Sequence, residues 1–544
     1  MSPENEDKTK IKKRKILENK FYLYLTEFFA GMSVMAVELG ASRLLAPFFS
    51  SSQIVWTIII GTIMIAMALG NIYGGRAADK NPDPDRLYRR VMIAAIWIAF
   101  IPVLGKYIIV GISAFLILSV NSGFLIIAAF AACMIVFVFP LFLLGTVTPS
   151  LVKYTVDSLD DSGKTVGNLN ASNTIGSIIG TFVPTFISIP AVGTAVTFLI
   201  FSGILLMLCL IYFFSGKKAA PTVGTAVSVL LFLICCIFGH GTSFAFWEKD
   251  LTFEGESVYN YLQVYENEDE VVLSTNVLFG VQSVYVKEPG PTGMYYDYAM
   301  AAPYMAGVRE KDELSVLVLG MGSGTYSTQL SRYFGNVLVE GVEIDEKITE
   351  LARKYFNMPD SVKVTTYDGR AFLNATDKKY DVIMVDAYQD ITIPFQMSSK
   401  EFFKEVKDHL SARGVMVVNM NMRGGGKNSI TTYLSDTISA VFDNVYTVDV
   451  KGSTNRELFA ADFDLMEAFE KNLGDESNDD LLGMMGKVRE GIEKYSAGKH
   501  VMTDDKAPVE LLGMKVIDEI IKEEIKYYKE VYKEKGLSGL IDSL

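Results

Sequence analysis

The chain is short of the residues on which several chemistries depend. Of its 544 residues, four are cysteine and three are histidine. Cys133, Cys209, Cys235 and Cys236 all lie in apolar runs of the first half. That excludes a disulfide framework and leaves the polar second half without a thiol nucleophile. His240, His409 and His500 are scattered, so neither a zinc site nor a Ser-His-Asp triad has the residues it needs, and no metal is expected. Net positive charge is also lacking, since 50 Lys and Arg against 63 Asp and Glu leave −13. An acidic chain gains little from phosphate backbones, which sets nucleic acid aside as a partner.

What is abundant is apolar residue, 50% of the chain, with a mean hydropathy of +0.27. The excess is concentrated before residue 241. Crossing about 30 Å of hydrocarbon takes roughly 20 residues in a helix. Stretches near 21–47, 53–74, 89–118, 124–152, 166–188, 193–214 and 222–240 qualify. The third holds Pro102, Gly105 and Lys106, and reads as one kinked helix or two short ones, so 21–240 is expected to be a bundle of seven or eight spans. Residues 1–20 carry Lys8, Lys10, Lys12, Lys13, Arg14 and Lys15, as a cytoplasmic flank would, and have no cleavable signal pattern.

Within the bundle, Gly70 with Gly74 and Gly176 with Gly180 supply the small-residue spacing that lets helix backbones approach in lipid. Glu27 and Glu38 share a face of the first span, with Arg43 near its end. Acids at that depth are expensive unless paired or facing water. They read either as a polar cavity for a cation such as a polyamine or as paired groups that fix the bundle. Basic residues flanking the spans favour seven spans, with the second half outside the cell. Eight spans put it inside, where adenosyl donors are made, and the weaker preference of the sequence as a whole is for the cytoplasm.

From about residue 250 the pattern is that of a soluble domain. Residues 258–288 alternate apolar and polar, as in a small antiparallel sheet, assigned to 250–310. From 311 to 515, strand, glycine-rich turn and helix recur, as in a Rossmann-like sheet of the class I methyltransferase type, and 516–544 reads as a solvated amphipathic helix. The stretch 316–330, VLVLGMGSGTYSTQL, is a buried strand, a turn carrying Gly320, Gly322 and Gly324, and a helix start. A second strand follows and ends in Glu343, placed to accept ribose hydroxyls. Asp368 and Gly369 follow the third strand, where a carboxylate suits an adenine amino group. Asp386 closes the fourth strand, at the carboxyl edge where open parallel sheets bind ligands, whereas Asp381 begins that strand and reads as structural. The nucleotide is either NAD or an S-adenosyl compound, and the glycine spacing with Asp368-Gly369 favours the second.

On these residues, 255–450 resembles the spermidine synthase-like aminopropyltransferases, and the whole chain resembles their membrane-fused branch. Segments 37–47 and 70–79 are similar to transporter-like helices of such fusions. The resemblance implies transfer of an aminopropyl group from decarboxylated S-adenosylmethionine to a polyamine such as putrescine. It implies Asn260, Gln282, Glu343, Asp368 and Gly369 as adenosyl contacts and Asp386 as the acceptor of the amine proton. It also places Tyr295, Tyr296, Ser323 and Asp390 around the amine. The chain departs from the family at Ser323, where the family carries an aspartate for the donor's amine end, at Asn260 for a glutamine, and at 386–390, where the second acid is displaced to Asp390. These departures keep two alternatives open: a membrane-tethered methyltransferase using intact S-adenosylmethionine, and a polyamine transporter or sensor without catalysis. The bilayer is the expected second partner, and assembly as a homo-oligomer is left open.

Overall fold

The computed structural model describes residues 15–119, 123–155, 162–215, 223–241, 243–248, 251–277, 281–306, 313–387, 393–421, 426 and 428–542. The chain divides into two units, Met1–Phe244 and Ala245–Leu544.

The first unit is helical: α1 (Lys20–Phe49), α2 (Gln53–Lys80), α3 (Pro84–Ser119), α4 (Phe124–Val136), α5 (Val138–Gly145), α6 (Val147–Thr155), α7 (Ser162–Val183), α8 (Ile189–Phe214) and α9 (Val223–Phe238). Among the described residues, five helical runs are long and apolar enough to cross a membrane. Many large apolar side chains on them face outward, including Met64, Leu69, Ile72, Phe115, Phe182 and Phe186, as lipid-facing surfaces require. The third apolar stretch is one helix, with Pro102 inside it.

The stretch 124–152 is not one span. It breaks after Val136 and again after Gly145. The cause lies four residues downstream of each break, at Pro140 and Pro149. Each proline lacks an N–H and its ring collides with the carbonyl of residue i−4. The run from Ser162 to Phe214 passes through a π-helical turn at Pro184–Ser188, and its helical path is interrupted by Gly193 in a left-handed conformation.

Glycines draw these helices together. A Cβ on Gly176 would overlap the carbonyl oxygen of Phe28, and one on Gly180 that of Met32, so α7 lies backbone to backbone on α1. Gly70 meets the Phe142 carbonyl in the same way, and Gly74 the backbone of Thr146, as the sequence spacing implied. In the α1–α7 seam sits Glu27, fully buried. Its Oε1 accepts from Thr148 Oγ1 at 2.5 Å and Asn173 Nδ2 at 2.8 Å.

The second unit opens with an antiparallel sheet of β1 (Leu251–Glu256), β2 (Tyr261–Glu266), β3 (Glu270–Ser274) and β4 (Ser283–Val286). Two short helices, α10 (Tyr295–Ala299) and α11 (Ala301–Met305), lead to the large sheet. Its elements are β5 (Leu314–Leu319), α12 (Thr325–Tyr333), β6 (Val337–Glu343), α13 (Glu346–Tyr355), β7 (Lys363–Thr366), α14 (Gly369–Ala375) and β8 (Tyr380–Val385). They continue with α15 (Lys400–Asp408), β9 (Leu410–Met420), α16 (Ile430–Ser439), β10 (Asn444–Asp449) and β11 (Arg456–Ala461). After them come α17 (Leu465–Gly474), α18 (Asp479–Gly491), β12 (Glu493–Lys494) and α19 (Val509–Asp542).

The strand order is β12-β10-β11-β9-β8-β5-β6-β7. The strands from β9 to β7 are parallel, and β11, β10 and β12 extend the sheet antiparallel beyond β9. The chain runs outward from β5 to β7, then returns to β8 on the other flank of β5. That reversal opens the crevice at which such sheets bind ligands. β5 and β8 are almost wholly buried, which is why they read as unbroken apolar runs.

The glycine seam yields a test. Gly176→Leu forces α7 off α1, an overpacking cost of about 1–3 kcal/mol or more. The detergent-solubilised protein is expected to melt at a lower temperature. Gly167→Ala, on the same helix with open space around it, is expected not to lower the melting temperature.

Candidate active site

The site follows from register. Leu319 at the end of β5 pairs with Val342 on β6 and Val385 on β8, and Val385 pairs with Val418 on β9. One residue further along, the strands present Glu343, Gly320, Asp386 and Asn419. Antiparallel β11 places Glu457 directly opposite Asn419. The carboxyl edge therefore carries one row, Glu343–Gly320–Asp386–Asn419–Glu457, with an acid on every second strand.

Gly320, Gly322 and Gly324 all have positive φ. At Gly320 a side chain is also barred by space, because a Cβ would lie 2.5 Å from Ala387 Cα and 2.6 Å from the Asp386 carbonyl oxygen. The turn thus lies directly against the strand end that carries Asp386. Glu343 holds the turn from the other side: its Oε2 accepts the Gly322 N–H at 3.0 Å and its Oε1 the Asp345 N–H at 3.1 Å. Burial pushes its carboxyl up to about 7 against the pull of these backbone donors.

Asp386 is the centre of the row. Tyr295 Oη donates to its Oδ2 at 2.6 Å, and Asn419 Nδ2 donates to its Oδ1 at 2.8 Å. Asn419 is itself oriented by Asn455 Nδ2, which donates to its Oδ1 at 2.8 Å. Burial raises the Asp386 carboxyl to about 7, opposed by the two hydrogen bonds and reinforced by the charge of Glu343. A carboxyl at that value exchanges a proton readily near neutral pH. Tyr295 lies on Tyr296, with ring centroids 4.0 Å apart. Burial and the neighbouring Asp386 hold the Tyr295 hydroxyl far above its usual range, so it stays a neutral donor.

Glu457 is fully buried, and neither carboxyl oxygen has a hydrogen-bond partner. Burial, with the charge of Asp386, pushes it well above the usual carboxylate range. Among the described residues, no lysine or arginine forms an ion pair with Glu343, Asp386 or Glu457.

Other expected site residues take different positions. Gln282 lies beside the turn, just ahead of Ser283, whose Oγ accepts the Ser323 N–H at 3.3 Å, and its Oε1 is buried without a partner. Ser323 itself turns toward β4: its hydroxyl bonds Thr325 Oγ1 at 2.9 Å, which donates on to the Val284 carbonyl. Asn260 donates to Asp345 at 2.9 Å, two residues past the Glu343 end of β6. Asp368 caps α14 by accepting the Ala371 N–H at 2.9 Å, and Gly369 follows it against Met397. Asp390 lies outside the described residues. Asp381 is structural, as its place at the strand start implied, and binds Ser315 and Ser411. The acidic turn near 504 is tied down too: Arg370 pairs with Asp504 at 2.7 Å and with Glu405 at 2.8 Å.

Sequence reasoning missed Asn419, Asn455 and Glu457. The available signal for Asn419 and Glu457 was a polar residue inside a largely apolar strand, VMVVNM and RELFAA, whereas Asn455 lies just ahead of β11.

A family profile described as the spermine/spermidine synthase domain matches residues 297–450. A relative from Bifidobacterium longum, named probable polyamine aminopropyl transferase, is 50% identical over 350 residues, covering 61% of this chain and 77% of the relative. The polyamine aminopropyltransferase of Vibrio vulnificus is 28% identical over 242 residues, covering 43% of this chain and 78% of that one. Among solved structures, the spermidine synthase from Thermotoga maritima superposes with a TM-score of 0.35 at 18% identity, covering 42% of this chain and 80% of that one.

Packing at the turn makes the next test specific. Gly320→Ala combines a disfavoured backbone angle with an overlap at Ala387, a strain of about 1–3 kcal/mol that displaces the turn or the Asp386 strand end. Calorimetry with methylthioadenosine is expected to read an affinity about tenfold weaker or worse. Gly335→Ala, in open space, is expected to bind as the parent does.

Proposed function

Since the chain belongs to the polyamine aminopropyltransferase family, we propose that it transfers an aminopropyl group from decarboxylated S-adenosylmethionine to a diamine such as putrescine. The proposal also makes the first unit a multi-pass membrane anchor, with the catalytic unit on the cytoplasmic side, where the donor is made. The observation that carries the reading is the row of buried and half-buried acids, which among the described residues has no basic partner. A buried anion is costly unless a counter-charge arrives. The two substrates are both cations, a sulfonium and an alkylammonium, and bring the missing charge.

In this reading Glu343 holds the ribose, the glycine turn and Gln282 line the nucleoside, and Asp368-Gly369 stand near the base. Asp386 takes the proton of the attacking ammonium. The freed nitrogen lone pair forms a bond to the aminopropyl carbon beside sulfur. The carbon–sulfur bond breaks, its electron pair stays on sulfur, and neutral methylthioadenosine leaves. The sulfonium charge disappears during the step, so the protein's task is chiefly to align nitrogen, carbon and sulfur. Tyr295 orients the base, and the faces of Tyr295 and Tyr296 offer an alkylammonium a cation–π contact of about 1 kcal/mol each.

A second reading, methyl transfer from intact S-adenosylmethionine, is favoured by Ser323, since no acid stands at that position for the donor's amine end. Incubation with putrescine and either donor, followed by mass spectrometry, separates the two. The first reading expects methylthioadenosine, and Asp386→Asn is expected to lower its release by about 10²–10⁴. S-adenosylhomocysteine as the sole product would replace the first reading with the second. Protease accessibility of 255–544 in intact cells tests the side, and protection is expected.

The pH profile gives a further check. Asp386 must be ionised to act as base, so kcat/KM is expected to rise with pH through about 7. The Tyr295 hydrogen bond favours the ionised form. Tyr295→Phe is therefore expected to move this limb upward by about one pH unit or more.

A further inference from the structure

Glu457 has no assigned role in the chemistry described so far, yet it is the most deeply buried acid of the row. It lies on β11 opposite Asn419, whose side chain bonds Asp386. Neighbouring strands are about 4.8 Å apart, so the backbones of Glu343 and Asp386 are separated by about 10 Å, and those of Asp386 and Glu457 by about the same. The acids are thus evenly spaced, with the base in the middle.

The side chains between and around them are already committed. Asn419 gives its amide to Asp386 and takes Asn455. Tyr295 is spent on Asp386, and Tyr326 donates to the Ala299 carbonyl at 3.2 Å. Neither oxygen of Glu457 receives a bond from any of these. A fully enclosed acid there is expensive unless a ligand group answers it.

The order of the row says which ligand group. With the nucleoside at Glu343 and the reacting nitrogen at Asp386, the donor lies on one side of the base. Glu457 lies on the other, two strands beyond. Resting on the aminopropyl-transfer reading, the structure assigns Glu457 as the carboxylate that holds the non-reacting ammonium of the acceptor. The acceptor class is then a short aliphatic diamine, charged at both ends, with the Asp386–Glu457 spacing acting as the measure of its length.

The test compares Glu457→Gln and Glu457→Asp with the parent full-length protein. Diamines of four and five carbons and butylamine serve as acceptors, with decarboxylated S-adenosylmethionine as donor. For Glu457→Gln, KM for putrescine is expected to rise about 30-fold or more, the preference for putrescine over butylamine to collapse, and donor affinity by calorimetry to stay within about twofold. Glu457→Asp, which withdraws the carboxylate by one methylene, is expected to restore part of the loss and to shift preference toward the five-carbon diamine. The assignment is overturned if Glu457→Gln leaves putrescine KM unchanged, or if it weakens donor, diamine and butylamine alike, as a merely structural acid would. Putrescine binding in the presence of methylthioadenosine, measured by calorimetry for parent and Glu457→Gln, reads the contact without turnover, and equal affinities overturn it. A parent that releases no methylthioadenosine with any acceptor, yet binds putrescine more tightly than Glu457→Gln, would sink the transfer reading and leave the ammonium site standing.

Discussion

Burying a carboxylate without a counter-ion is the constraint around which the second unit is organised. Three acids reach one edge of the sheet, Glu343 and Glu457 buried and Asp386 partly so, and their mutual repulsion adds to the cost of desolvation. The fold tolerates this because each acid is fixed by its place in a ladder. Glu343 ends β6, Asp386 follows β8 and Glu457 lies within β11, so the surrounding strand pairing over-determines their positions. Such stored cost is a common feature of sites where charge is handled. In the proposed reading it is released when cations of the right spacing settle among the acids.

The glycine turn belongs to the same constraint. It is often read as a cradle for phosphate, since its N–H groups suit an anion. Here one of those N–H groups is occupied, because Gly322 donates to Glu343. The turn therefore serves to hold an acid, and its steric demand at Gly320 presses it against Asp386. A neutral nucleoside attached to a sulfonium is compatible with that arrangement. A pyrophosphate placed beside Glu343 and Asp386 would meet two acids, which is the physical reason that the proposed reading takes an adenosyl compound rather than NAD.

Much of this was legible in the sequence, for reasons that can be stated. Glu343 and Asp386 were found because each ends an apolar strand, and strand ends in a parallel sheet converge on one edge. Asp381, beginning the same strand as Asp386, was assigned to structure by the same rule and binds Ser315 and Ser411. Glu457 was not found, because it comes from β11, which pairs antiparallel with β9, and Asn419 lies within the end of β9 rather than just after it. Strand-end logic does not reach a residue inside an antiparallel strand. Ser323 and Asp368 were legible as positions, but their side chains serve as a link to Thr325 and as a helix cap. Local hydrogen bonds of that kind compete with any ligand and leave no trace in spacing. In the first unit, hydropathy found the apolar stretch 124–152 but joined three helices into one, because a hydropathy sum does not weigh what Pro140 and Pro149 do to the carbonyls four residues before them.

Both units orient an acid with neutral donors. Glu27 is held by a threonine and an asparagine, and Asp386 by a tyrosine and an asparagine. At Asp386 the choice has a chemical consequence. A lysine or arginine in place of Asn419 would satisfy the carboxylate more strongly, but it would lower the carboxyl's affinity for a proton and repel a cationic substrate. A neutral amide fixes the geometry while leaving the negative charge unspent. The Asn455–Asn419–Asp386 chain therefore aims a carboxylate without neutralising it, and in the proposed reading the charge it preserves is what a cationic acceptor meets when it surrenders its proton.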